Sequence, residues 1–211
     1  MINELKRPFI QAFFSHLLLA VAALMMVIQT KTLLTTANTS FFFEPAVMVA
    51  AFCIYRLAYY GISWPIKKVK WSTYKELPFF LVILIAIFSF LQPLEKAGLL
   101  ASAIMALAYM MEVGKWKGIR SLPVLKSIWV ALVWTIITAA IPLVQHLDLD
   151  ATLLIVERFL FLLSICIIYN LRDTEVDSMH GIRTIPHKIG ILKTKQLTIL
   201  ILTFDGDKKR K

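Results

Sequence analysis

The chain reads TLLIVERFLFLLSICIIYNL over residues 152–171 and RDTEVDSMHGIRTIP over residues 172–186. The first stretch is apolar almost throughout, contains no Gly or Pro and does not alternate as a half-buried strand does. About 20 such residues, rising about 1.5 Å each as an α-helix, match a bilayer core of about 30 Å. The second stretch is polar from Arg172 onward, so the helix meets water there.

The same pattern recurs upstream. Apolar runs at Phe9–Ile28, Phe42–Tyr60, Leu77–Leu94, Ala97–Val113 and Val124–Val144 precede the one at Thr152–Leu171. Pro78 lies in a first turn, where its missing N–H costs little. Pro93 closes the third run, with a tight turn at Glu95–Lys96 before the fourth. Pro142 falls near the end of the fifth, where it predicts a kink. Beyond a polar segment, Leu197–Phe204 is apolar for only eight residues, a stub of about 12 Å. The expected fold is therefore all-α: one multi-pass membrane domain over residues 1–211, with six spanning helices and a short C-terminal stub.

Composition agrees. Hydrophobic residues make up 59% of the chain, charged residues 17%, and mean hydropathy is +0.74. A soluble domain of this size cannot hide that much apolar surface. The net charge of +10 would suggest nucleic acid in a soluble protein. Here the basic residues occupy short loops, so orientation in a membrane explains them and no nucleic-acid partner is expected. Residues 1–8, 61–76, 114–126 and 172–196 carry fifteen Lys and Arg, while the loops on the opposite side carry only Lys31 and Lys96. Cytoplasmic loops hold the excess of Lys and Arg, which places the amino terminus inside. Trp64, Trp71 and Trp116 fall at the same boundaries, as an aromatic belt requires. The expected location is a bacterial plasma membrane. The run after Lys6 and Arg7 exceeds a signal-peptide core, and no small-x-small site follows it. Cys53 and Cys166 lie inside apolar runs and read as small buried hydrophobes.

Chemistry concentrates after residue 169. On a continued helix, Asn170, Asp173 and Asp177 share one face at i, i+3 and i+7. Two carboxylates four residues apart repel unless a cation joins them, and Mg²⁺ accepts one or two carboxylates together with substrate phosphates. A solvated helix end is the plain alternative. The ordered pattern Asn170-x-Arg172-Asp173-x-x-x-Asp177-x-x-x-Gly181-x-x-Thr184 resembles the second aspartate motif of the UbiA-type intramembrane prenyltransferases. Arg120-Ser-Leu-Pro123-Val-Leu-Lys126 leading into Ala131–Trp134 is similar to the start of that family's second half. The resemblance is firm over Arg120–Gly190.

It implies a larger helical bundle that transfers a prenyl group from its diphosphate to a lipophilic or aromatic acceptor, using Mg²⁺. Carried over, Asp173 and Asp177 are the catalytic Mg²⁺ ligands and Asn170 supports them. Arg120, Lys126 and Arg183 face the diphosphate as substrate-binding cations. The chain departs from the pattern in two ways. The family's first aspartate motif belongs near Cys53–Tyr60, yet no Asp precedes Asp148, and Glu76 is the only acid between Glu44 and Glu95. Arg56 stands where an acid is expected and could grip diphosphate directly, or snorkel to the cytoplasmic surface. The family's last helices are also absent from these residues. A catalytically inactive relative that binds membrane lipid or diphosphate is therefore the alternative. A transporter has only Glu157 and Arg158 in its favour. Those two lie about 24 Å along the helix from Asp173 and read as an outer-surface or helix-contact pair.

Overall fold

The computed structural model describes residues 2–34, 37, 39–59, 76–110, 119, 122–145, 147–172, 186 and 189–206. All regular structure among them is helical. The helices are α1 (Ile2–Leu33), α2 (Phe43–Tyr59), α3 (Leu77–Ser89), α4 (Pro93–Met110), α5 (Pro123–Thr135, continued by a π-helical turn Ile136–Ala140 and by Ile141–Leu143), α6 (Leu149–Arg172) and α7 (Ile191–Gly206). Three of them, over Gln11–Leu33, Val124–Leu143 and Leu149–Leu171, are long and apolar enough to cross a membrane.

Of the remaining expected spans, α4 has 18 residues, about the length of its apolar run. α2 has 17 residues and α3 only 13. The expected helix Leu77–Leu94 stops at Ser89 because Phe90 and Leu91 close tight turns onto Ile87 O and Phe88 O. Gln92, preceding a proline, is biased away from the α region, and Pro93 then opens α4. The turn thus falls at residues 90–92, and Glu95 and Lys96 belong to α4's first turns. Glu95 accepts from the Gln92 backbone N–H at 2.8 Å, which satisfies a donor left over at the helix start. It also accepts from Ser40 N and Ser40 Oγ, each at 2.6 Å. The expected eight-residue stub is in fact a 16-residue helix. Gly190 takes φ +83° to turn the chain into it.

The contacts define two compact units. The first comprises residues 1–104 and 137–146. Ala20, Ala23, Val27 and Thr30 lie three or four residues apart on α1 and have no exposed surface. On α2, Phe43, Ala46 and Val47 are equally buried. Small side chains let helix backbones approach closely, and Lys31 Nζ pairs with Glu44 at 2.5 Å at the end of this α1–α2 pair. Rings from three helices continue the packing, with Phe52 lying 5.3 Å from Phe13 and 4.6 Å from Phe80 between centroids.

The π turn in α5 has a sequence cause. Pro142 has no N–H, so the ordinary α-helical partner of the Thr138 carbonyl does not exist, and the ring crowds that carbonyl. The helix widens one turn earlier, as bulged helices do. Thr30 Oγ on α1 donates to Thr138 O at 2.7 Å, with both residues fully buried. The expected kink is therefore a widened turn with an outside donor. Next to it, a Cβ added to Gly98 would lie 2.5 Å from Ile141 Cδ1, so only glycine lets α4 come this close.

The second unit comprises residues 105–136 and 147–211. α6 starts at Asp148, whose Oδ1 accepts from Ala151 N at 2.7 Å as an N-cap. α6 packs against both α5 and α7. Trp129 Nε1 donates to Met105 O at 2.9 Å, holding α5 against the end of α4. On α7, Thr194 and Thr198 are buried and donate to the carbonyls four residues back, while Leu192 and Leu200 lie exposed.

Candidate functional site

Asp173, Asp177, Arg120 and Arg183 lie outside the described residues. Asn170, Lys126 and Arg56 lie within them. α6 is helical through Arg172, so Asn170 sits in its last turn and Asp173 follows directly in the chain.

Asn170 is 4% exposed and its Nδ2 donates to Ser127 Oγ, itself 2% exposed, at 2.6 Å. Ser127 stands in the second turn of α5, beside Lys126. The carboxyl end of α6 and the amino end of α5 thereby meet, and two sequence-predicted residues, Asn170 and Lys126, come to one end of the same helix pair. Lys126 is half-buried, and its backbone N–H donates to Leu122 O at 2.9 Å in the opening turns of α5.

Among the described residues no three His, Cys, Asp or Glu side chains gather as a metal site; both expected carboxylates fall outside them. The donor types nevertheless suit Mg²⁺: two carboxylates and an amide oxygen are hard oxygen ligands. The Ser127 contact adds a fixed orientation for the amide.

Arg56 belongs to the first unit and has no exposed surface, so it does not snorkel. Its Nη2 pairs with Glu76, the residue that precedes α3. The guanidinium carbon lies 5.7 Å from the Phe13 ring centroid, in cation–π range. Beside it, His16 and Tyr55 stack with centroids 6.1 Å apart. An anion reaching this guanidinium would compete with the Glu76 carboxylate.

Glu157 and Arg158 differ in burial. Arg158 is buried at 6% exposure, while Glu157 is only half-buried. The helix-contact reading therefore suits Arg158 better than Glu157. Cys53 packs against Leu77, and both cysteines are free thiols.

Sequence reasoning missed Ser127 and the pairing of Glu76. A hydroxyl within an apolar run and the lone acid near an embedded arginine were the available signals. No family model, no curated protein and no solved structure matches the chain.

Proposed function

We propose that the chain is a membrane prenyltransferase of the UbiA-like kind, moving a polyprenyl group from its diphosphate to a lipophilic or aromatic acceptor. The observation that carries this reading is the pattern Asn170–Thr184 at the end of α6, with Asn170 held by Ser127. Asp173 and Asp177 would hold Mg²⁺, and Asn170 would add its amide oxygen. The chemistry supplied by a bound Mg²⁺ is stabilisation of charge on the diphosphate that leaves as the allylic C–O bond breaks. Lys126, Arg120 and Arg183 attract and orient the diphosphate. The apolar helices shelter the prenyl tail from water.

Six crossings with the amino terminus and residues 172–196 in the cytoplasm complete the proposal. Its support is the basic-residue asymmetry and the three long apolar helices.

The test is binding of radiolabelled farnesyl diphosphate to the purified chain with and without Mg²⁺. Asp173→Asn and Asp177→Asn are each expected to lower Mg²⁺-dependent binding at least tenfold, the low end of the roughly 10–100-fold cost of disturbing a metal site's support. Unchanged binding in both variants removes the carboxylate assignment.

A second reading, a binder without turnover, is favoured by the state of Arg56. The position nearest the family's first aspartate motif carries a buried arginine already paired with Glu76. Prenylated product from the labelled donor excludes this reading, and binding without product supports it.

A further inference from the structure

We infer that Phe41, Phe42 and Phe90 form an anchor seated at the headgroup–acyl boundary of the bilayer; the inference rests on the membrane reading above. Two turns meet at one end of the first unit, residues 39–42 leading into α2 and residues 90–92 between α3 and α4. No Asp, Glu, Lys or Arg occurs over residues 32–43 or 77–94. The rings at these turns point outward, Phe41 being 83% exposed and Phe90 64%. They also cluster. Phe42 lies 5.5 Å from Phe41 and 5.0 Å from Phe90 between centroids, within the range of favourable ring pairs. Two segments distant in sequence thus assemble one apolar patch, and such a patch marks a surface with a partner.

The backbone behind the rings points to lipid as that partner. Where water is excluded, each backbone N–H needs an acceptor within the protein. Ser40 N and Gln92 N donate to the Glu95 carboxylate at 2.6 and 2.8 Å, and Ser40 Oγ adds a third bond at 2.6 Å. Phe43 N, Phe90 N and Leu91 N donate to the carbonyls of Ser40, Ile87 and Phe88. Lys96 Nζ donates to Ser89 O at 3.1 Å, closing a carbonyl that the end of α3 leaves open. Glu95 is itself buried, so it supplies acceptors without presenting its charge to lipid. Phe90 continues the exposed apolar surface of α3, to which Phe79, Val82 and Ile85 belong. Polar side chains resume at Gln92 and Gln145, which hydrogen-bond to each other at 3.2 Å.

The test places a nitroxide on single cysteines in a chain whose Cys53 and Cys166 are replaced by alanine, reconstituted in dioleoylphosphatidylcholine vesicles. Relaxation by oxygen, which concentrates in lipid, is compared with relaxation by a water-soluble nickel chelate. Phe41→Cys and Phe90→Cys are expected to favour oxygen, to a smaller degree than Ile85→Cys on α3. Dominant relaxation by nickel at both positions overturns the anchor. Protection from both reagents shows a second copy of the chain on the patch and overturns it as well. Glu95→Gln added to Phe41→Cys should shift that label toward nickel, because the charge-assisted bonds to Ser40 weaken, and should leave Ile85→Cys unmoved. An unmoved label at Phe41→Cys overturns the part given to Glu95. If Glu95→Gln does not fold, Ser40→Ala removes only the hydroxyl bond and carries the same comparison. Ile85→Cys separates the two levels. Nickel dominance there defeats the membrane reading itself, whereas oxygen dominance there alone defeats only the anchor.

Discussion

Arg56 shows how one side chain changes meaning once its surroundings are known. In sequence it is an arginine near a membrane boundary, open to a diphosphate or to water. In the fold it is sealed between Phe13 and Glu76. Removing one member of a buried ion pair leaves an uncompensated charge, at a cost of about 3–5 kcal/mol. Glu76→Gln should therefore lower the stability of the detergent-solubilised chain by that order. Arg56→Met added to Glu76→Gln should recover much of the loss, because the stranded charge disappears. Thermal unfolding of the two variants decides; a double variant less stable than Glu76→Gln argues against the pair. Asn170 drew attention in the sequence because its spacing to Asp173 and Asp177 follows the helical repeat. Ser127 was not, since its partner lies 43 positions away and no local pattern links them.

Elements were legible where hydropathy and helix formation coincide, and misjudged where they part. α1 begins seven positions before the apolar run from Phe9 and ends five after Ile28. Helical hydrogen bonds do not stop where lipid stops. α7 was shortened in the reading because Lys193, Lys195 and Gln196 are polar, yet all three favour helix. Pro142 was read as a kink, and its real effect includes a donor from another helix. Thr30→Val, which keeps the shape and removes the hydroxyl, should cost about 1–3 kcal/mol, the penalty for a buried carbonyl deprived of its donor. With Pro142→Ala present the penalty should shrink, since residue 142 then supplies an N–H to Thr138 O. A double-mutant cycle on unfolding free energies measures this coupling. Additive effects would show that the Thr30 bond and the proline act independently.

For the whole molecule, the charge asymmetry and the exposed apolar faces carry the membrane reading. Leu18, Ile85, Leu192 and Leu200 each expose about two thirds or more of their surface, an arrangement that a water-soluble monomer avoids and lipid favours. The proposed topology rests on loop charges and is testable by labelling. In a chain whose Cys53 and Cys166 are replaced by alanine, Leu147→Cys should react with a membrane-impermeant maleimide on intact cells. Leu147 is 59% exposed between α5 and α6. Lys193→Cys should react only after permeabilisation. Labelling of Lys193→Cys from outside defeats the proposed orientation. Charge counts supply an orientation to test; side-chain contacts across helices, which join distant segments, were beyond such counting.

The shortness of α3 reaches past the protein into its surroundings. Thirteen residues rise about 20 Å, some ten short of an average hydrocarbon core. Tilting shortens a helix's vertical reach further, so it offers no remedy. If α3 is one of the six crossings proposed above, the two leaflets dimple toward each other around this face, and shorter acyl chains fit that depression more easily than long ones. The protein would thus wear an annulus unlike the rest of its membrane, thinned beside the segment that follows Glu76.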